Sequence, residues 1–305
     1  MTSFGWAAVE GIKVNGVTLN DPRFNVESVT AGTAMWRGSN LIPAMGHGGS
    51  WRRKRLGASN ERWTMWVCDA KGDGTFYPPT WSGTGTPTTT GRQQQLAQLN
   101  TNLDELKGLL YRSHKPSGYD APLMVVKKLQ SNAANPDDIS RVNYGEIVSP
   151  LQITESGFNY VRFTVNIDYL DPRWYECLSD GTKLVTNLTA SGMVGGSAVM
   201  DRMTITLTAT ADSVSNPWIA NGTTGSKLTY NGTLDTGDTI TFDTEAYTAT
   251  LVDVSDGNAT TYPTGNVDRT GSTTVDWFEL RPNTSNTFTK HANVTYSISY
   301  SKAYI

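Results

Sequence analysis

The segment YVRFTVNIDYL, from Tyr160 to Leu170, alternates without a slip: Val161, Phe163, Val165, Ile167 and Tyr169 share one parity. An extended strand with one buried face is the backbone form that sets every second side chain on the same side. The chain repeats this pattern in short runs separated by joints rich in Gly, Asn, Asp and Thr, which points to β structure over most of its length. The first joint is GIKVNGVTL, where Ile12 and Val14 precede Asn15-Gly16 and Val17 and Leu19 follow it, a two-residue hairpin signal. Further strands are expected over Phe24–Val29, Arg62–Val67, Leu123–Leu129, Ser140–Val148 and Leu151–Thr154.

One segment breaks the period. RQQQLAQLNTNLDELKGLLYRSHK places Leu96, Leu99, Leu103, Leu106 and Leu110 at three- and four-residue steps, between Gly91 and Pro116. That spacing predicts a helix with one apolar stripe. Residues 1–178 are therefore expected to form an α+β domain of two sheets and one helix, ending near Asp171-Pro172-Arg173-Trp174-Tyr175. The small-residue stretch TASGMVGGSA suggests a linker, set at 179–198. Residues 199–305 read as strands alone, over Met203–Thr208, Lys227–Tyr230, Thr239–Phe242, Tyr247–Val252, Asp276–Leu280 and Val294–Ser301, in the manner of a jelly-roll sandwich. The expected fold class is mainly β.

Charge narrows the partners. From Ser179 onward there are 7 Lys/Arg against 12 Asp/Glu, and the remainder holds 18 against 16. Neither part is basic enough for general nucleic-acid binding. No apolar run approaches the ~18 residues of a membrane span. MTSFGWAAVE lacks a basic segment followed by an apolar one, so synthesis in a cytoplasm is expected, with no membrane partner. Cys68 and Cys177 have no metal-type spacing. DAKGDG (Asp69–Gly74) has Lys71 at a ligand position of a calcium loop and no closing Glu. The expectation is no cofactor and no metal.

LDTGDTITFDT contains the Asp235-Thr236-Gly237 tripeptide that carries the catalytic carboxylate of aspartic proteases. Such a site needs two aspartates sharing a proton, and the chain has no second Asp-Thr-Gly or Asp-Ser-Gly. Asp238 would add a further carboxylate beside the shared proton. The segment reads as a turn, with Asp and Gly supplying local hydrogen bonds and positive φ. His47, His114 and His291 are scattered, so no catalytic constellation assembles and an enzyme is not expected.

Two sets of residues remain as candidate sites. Trp51-Arg52-Arg53-Lys54-Arg55 is the densest charge run, and reads either as a solvated loop or as an arm meeting a neighbouring subunit. Trp81, Trp218, Trp277 and Phe278 are candidate exposed or interface aromatics. Trp277 and Phe278 are neighbours on the expected Asp276–Leu280 strand and so must point to opposite faces, leaving one exposed or covered by another chain.

NPWIANGTTGSKLTYNGTLDTGDTITFDTEAYTATL and DWFELRPNTSNTFT resemble the C-terminal segments of the distal tail proteins of long, non-contractile-tailed (siphovirus) bacteriophages. Asn283 stands where glycine is usual in that family's closing turn, and tolerates the same positive φ. The Gly-rich segment before WRRKR, the single helix and the Asp171–Tyr175 ending fit its N-terminal belt domain. The loop TFYPPTWSGTGTPTTTG is longer than the family pattern. The resemblance implies a tail-tube-like belt domain, a galectin-like C-terminal sandwich, and a hexameric ring in the virion tail tip. Its implied partners are itself, the tail tube protein, the tail hub, and fibre or receptor-binding proteins, with DNA only passing through the lumen. The alternative is a carbohydrate-binding module contacting host cell-wall glycans through exposed aromatics. A glycoside hydrolase is weaker, because the acidic residues of the second part sit beside Gly, Asn, Ser or Thr as turn residues do.

Overall fold

The computed structural model describes residues 11–19, 21–31, 36–37, 41–43, 49–51, 55–56, 58–76, 89–111, 122–130, 139–169, 171–270 and 277–305. The chain divides into two compact units, Met1–Thr182 and Lys183–Ile305.

The first unit contains β1 (Ile12–Val14), β2 (Val17–Thr18), β3 (Phe24–Ala31), β4 (Trp36–Arg37), β5 (Leu41–Pro43), β6 (Gly49–Trp51), β7 (Arg55–Leu56) and β8 (Ser59–Cys68). Helix α1 (Thr89–Leu110) follows, then β9 (Leu123–Gln130), β10 (Ile139–Ile147), β11 (Gln152–Ser156), β12 (Tyr160–Tyr169) and β13 (Trp174–Cys177). The main sheet runs in the order β2-β1-β9-β10-β12-β8-β3, with β11 on β12 and β13 on β10. Asn15 at φ 49 and Gly16 at φ 84 are the two left-handed residues that turn β1 into β2. The alternation in β12 sets its register: Tyr160 to Tyr169 pair with Cys68 to Ser59 without a shift. Trp63, Met65 and Val67 on β8 and Phe163, Val165 and Ile167 on β12 are fully buried and share a core with Leu99, Leu106 and Leu110 of α1.

Two expectations need correcting here. Leu96 is 50% exposed, while Leu99, Leu106 and Leu110 of the same stripe are buried. The two expected sheets are one, since β9, β10 and β12 join the β1–β2 hairpin to the β3–β8 pair. Among the described residues of this unit, the short ladders β4–β7 and β5–β6 stand apart.

The second unit contains β14 (Thr186–Leu188), β15 (Gly192–Val194), β16 (Met203–Ala209), β17 (Val214–Ser215), β18 (Trp218–Asn221), β19 (Ser226–Tyr230) and β20 (Thr233–Leu234). Then come β21 (Thr239–Asp243), β22 (Thr248–Asp253), β23 (Ala259–Thr261), β24 (Val267–Thr270), β25 (Thr284–Asn286), β26 (Phe288–Lys290) and β27 (Val294–Tyr300). One sheet has the order β14-β27-β16-β21-β22-β23, and another β24-β19-β18-β26. Along β16, Met203, Ile205, Leu207 and Ala209 are buried while the threonines between them are half-buried. Thr206 and Thr241 pair their hydroxyls across the ladder at 3.2 Å. Phe288 on β26 meets Tyr296 on β27 edge-on at 5.7 Å, linking the two sheets of a sandwich.

The stretch expected as a linker differs from expectation. β14 pairs with β27 and β15 with β25, so residues within 179–198 belong to the second unit's sheets. The expected strand over Asp276–Leu280 also fails among its described residues. Trp277, Phe278 and Glu279 are irregular, and Leu280 makes a single bridge to Met200.

Candidate assembly surfaces

Trp51 and Arg55 of the WRRKR run lie on two short ladders in line with the register of β3–β8. In β3–β8 the last pair is Ala31 with Glu61. Trp36 then pairs with Leu56 and Arg37 with Arg55, and beyond them Leu41 with Trp51, Ile42 with Ser50 and Pro43 with Gly49. Each step outward on one strand is matched by one step on the other, so all these pairs share one hairpin register. Trp51 therefore ends β6 and Arg55 begins β7, while Arg52, Arg53 and Lys54 lie outside the described residues. Between Trp36 and Leu56 the sequence has Arg37, Arg52, Arg53, Lys54 and Arg55 and no Asp or Glu.

At the root of this arm a polar cluster closes the core. Glu61 is 4% exposed and stands at core parity with Trp63, Met65 and Val67. Its Oε1 accepts from Lys127 Nζ. Its Oε2 accepts from Trp63 Nε1 at 2.9 Å and from Tyr169 O–H at 3.0 Å. The Lys127 ammonium also sits 4.2 Å from the centroid of Trp174, which tilts against Tyr169 at 5.1 Å. Lys127 comes from β9 and Glu61 from β8, three steps apart in the sheet. At about 4.8 Å per step a flat sheet would separate them by about 14 Å, so the sheet must curl to bring them together. Burial pulls the Lys127 amine below its ordinary value, and Glu61 opposes that pull. Burial, then the Glu61 charge, pushes the Tyr169 phenol well above its own. Sequence reasoning passed over this cluster, although a charged residue at core parity in two strands was a usable signal.

The other end of β8 borders a groove of about 320 Å³. Helix α1 supplies Leu103 and Lys107 to its wall, Tyr111 follows just past the helix end, and Leu151, Ile153, Val161 and Phe163 complete it. Ile153 is 64% exposed. All five residues of β11 are exposed, and among the described residues β11 pairs only with β12, leaving its outer edge open.

In the second unit the candidate aromatics separate. Trp277 is 5% exposed and Phe278 fully buried, so neither is an exposed platform. The opposite-faces rule fails because their segment is not a strand. Trp277 packs against Tyr247 at 5.8 Å and lies under the Arg269 guanidinium at 5.7 Å, while Phe278 stacks on Phe288 at 6.4 Å. Trp218 is half-buried, with Lys227 Nζ 4.6 Å from its ring centroid. Trp81 lies outside the described residues. The Asp235-Thr236-Gly237 segment is a turn: Asp238 N–H donates to Asp235 O at 3.0 Å, and Gly237 has φ 92. The Asp235 carboxylate accepts from Ser213 N–H at 2.8 Å, a structural bond rather than a shared proton. Asn283 takes φ 50, as its place in the closing turn requires.

Burial in the first unit gives a pH dependence. Cys177 is 1% exposed, and burial, aided by Asp180 and Glu176, pushes its thiol up to about 11 from 9.0. An unfolded thiol ionises near 9 while the folded one stays protonated, so the unfolded state loses its proton first as pH rises. The stability from this group is whole below pH 9 and is lost between 9 and 11, and Tyr169 extends the loss above 10. Thermal melts across this window should fall, with Cys177→Ser flattening the first part. An unchanged melting temperature from pH 8 to 11 contradicts the assignment.

No protein-family model matches the chain, and no curated protein does. Solved structures do. The crystal structure of the phage SPP1 Dit (gp 19.1) protein, described as a paradigm of the hub adsorption apparatus in phages infecting Gram-positive bacteria, matches with a TM-score of 0.56 and 17% identity. That match covers 97% of this chain and 99% of the other. Chains of the phage p2 baseplate in its activated conformation, with Sr and with Ca, match at 6% identity with TM-scores of 0.35 and 0.37. They cover 94% and 93% of this chain, and 97% and 92% of theirs.

Proposed function

We propose, from a fold shared end to end with the Dit protein of a phage adsorption apparatus, that this chain is a structural subunit of a phage tail tip. In this reading it forms a ring, six copies by resemblance, that joins the tail tube to the hub and fibre proteins, and it acts by assembly rather than by catalysis. The observation that carries the reading is the span of the match. It covers 97% of this chain and so takes in both units, in the order they have here. A fold alone does not fix function, and the surfaces supply the rest of the support. A ring needs two different patches per subunit that meet head to tail and close. A basic hairpin arm at one end of β8 and an apolar groove with an open strand edge at the other are two such patches.

Native mass spectrometry with negative-stain imaging of the purified chain tests the reading, alone and with a tail tube or hub partner. The expected result is a closed ring with a central hole. Monomers under every condition end it. Neutralising Arg52, Arg53 and Arg55 together should weaken ring assembly, and rings unchanged in size-exclusion chromatography would remove the arm from the interface.

A further inference from the structure

We propose that Asn231 is a site of spontaneous covalent modification, deamidating through its neighbour Gly232 to aspartate and isoaspartate while the chain is folded. The chemistry is independent of the ring reading above.

The chain has three Asn-Gly pairs, Asn15-Gly16, Asn221-Gly222 and Asn231-Gly232. Glycine has no side chain to shield its backbone nitrogen, and its wide φ/ψ range lets that nitrogen approach the preceding side chain. After losing its proton to base, the nitrogen attacks the asparagine Cγ. An N–Cγ bond forms, the Cγ–Nδ2 bond breaks, and the amide leaves as ammonia. Water then opens the cyclic imide at either carbonyl. Opening at Cγ gives aspartate, and opening at the backbone carbonyl gives isoaspartate, whose main chain is one carbon longer.

The fold separates the three pairs. Asn15 Nδ2 donates to Leu109 O at 3.4 Å, and its Oδ1 accepts from Met124 N–H at 3.0 Å. Asn221 is fully buried, donates to Glu279 O and Asn286 Oδ1, and accepts from Thr223 N–H at 3.0 Å. Its Gly222 N–H is held by Thr287 O at 2.8 Å. Both side chains must leave these partners before they can react. Asn231 is exposed, and among the described residues its side chain has no partner. Gly232 N–H donates to Tyr230 O at 3.0 Å, two residues back, the bent bond of a three-residue turn.

The same turn holds the reactive pair in place. A Cβ at position 232 would lie 2.4 Å from Tyr230 Cζ, so any larger residue must displace a buried ring. Asn231 N–H donates to Asn266 O at 2.7 Å, and Gly232 O accepts from Asn216 N–H at 2.8 Å. An extra main-chain carbon between these anchors shifts one against the other. β20 starts at the next residue and pairs with β17 through Thr233 with Ser215 and Leu234 with Val214. Isoaspartate should therefore loosen this ladder.

The test ages the full chain in mildly alkaline buffer and follows the amide-to-acid mass gain at each pair by peptide mass spectrometry. Asn231 should convert at least about tenfold faster than Asn15 and Asn221, which react only in locally opened states. In urea, where the fold no longer discriminates, the three rates should converge. A folded-state rate at Asn231 no higher than at the other two overturns the proposal. An isoaspartate-specific methyltransferase should label the aged wild type, and Asn231→Gln should remove most of that label. The aged wild type should melt below the fresh protein, while Asn231→Gln keeps its melting temperature on ageing. Label at Asn231 with an unchanged melt would overturn the effect on the β17–β20 ladder.

Discussion

Replacing Lys127 with Met should cost the first unit about 3–5 kcal/mol, because it leaves the Glu61 carboxylate buried without its counter-charge. Glu61 would keep the Trp63 and Tyr169 donors, but those neutral groups do not offset a full charge. The Lys127→Met, Glu61→Gln double variant should recover most of the loss, since no charge then remains in the core. Calorimetry of the four members of that cycle measures the coupling. A single variant within about 1 kcal/mol of wild type would mean that water reaches Glu61 and the pair contributes little. The position gives the cluster a second consequence. Glu61 is the last β8 partner of β3 before the arm, paired with Ala31. A variant that folds but loses the cluster should therefore also assemble poorly, through a loosened arm root.

The second large effect is expected at Asn286. It is fully buried, and its amide donates to Arg281 O at 2.9 Å and Thr284 O at 3.1 Å. Its carbonyl accepts from Arg281 N–H and from Asn221 Nδ2, both at 3.0 Å. Asn221, also fully buried, reaches on to Glu279 O at 2.8 Å. Two asparagines thus tie Glu279 and the Arg281–Thr284 turn to β18, in addition to the backbone bonds that Leu280 makes with Met200 and Asn283 with Val194. Asn286→Ala removes four bonds and orphans buried backbone groups, a loss of about 3 kcal/mol after partial relaxation. Asn283→Gly, three residues away in the same turn, should stay within about 0.5 kcal/mol, since glycine accepts the same positive φ. Equal losses at the two sites in thermal melts would show that the turn backbone, rather than the side-chain network, holds this segment.

The Asp171–Tyr175 ending shows how far a resemblance can be read into chemistry. The sequence pattern marked it as a domain close. In the fold Asp171 Oδ1 accepts from Arg173 Nε at 2.8 Å and Oδ2 from Tyr175 O–H at 2.7 Å, fixing a local turn. The ring of Trp174 then faces the Lys127 amine. Spacing located the motif, and contact with a strand distant in sequence gave it a role.

What the sequence by itself determined is whatever depends on near neighbours. Alternation fixed the strands β8, β12 and β16, because period two leaves one choice of buried face. Asn15-Gly16 fixed a hairpin and Gly237 a turn, because positive φ is a local demand. Leucine spacing found α1, though it could not say that Leu96 would be left exposed. Only the tertiary structure decided which strands pair, since β-partners can lie anywhere in the chain. It merged two expected sheets into one, drew the supposed linker into the second unit, and buried Trp277 and Phe278 in an irregular segment where strand parity has no force. It also decided that Glu61 and Lys127, 66 residues apart, meet. Their encounter depends on the curl of a whole sheet, and no window of sequence contains that curvature.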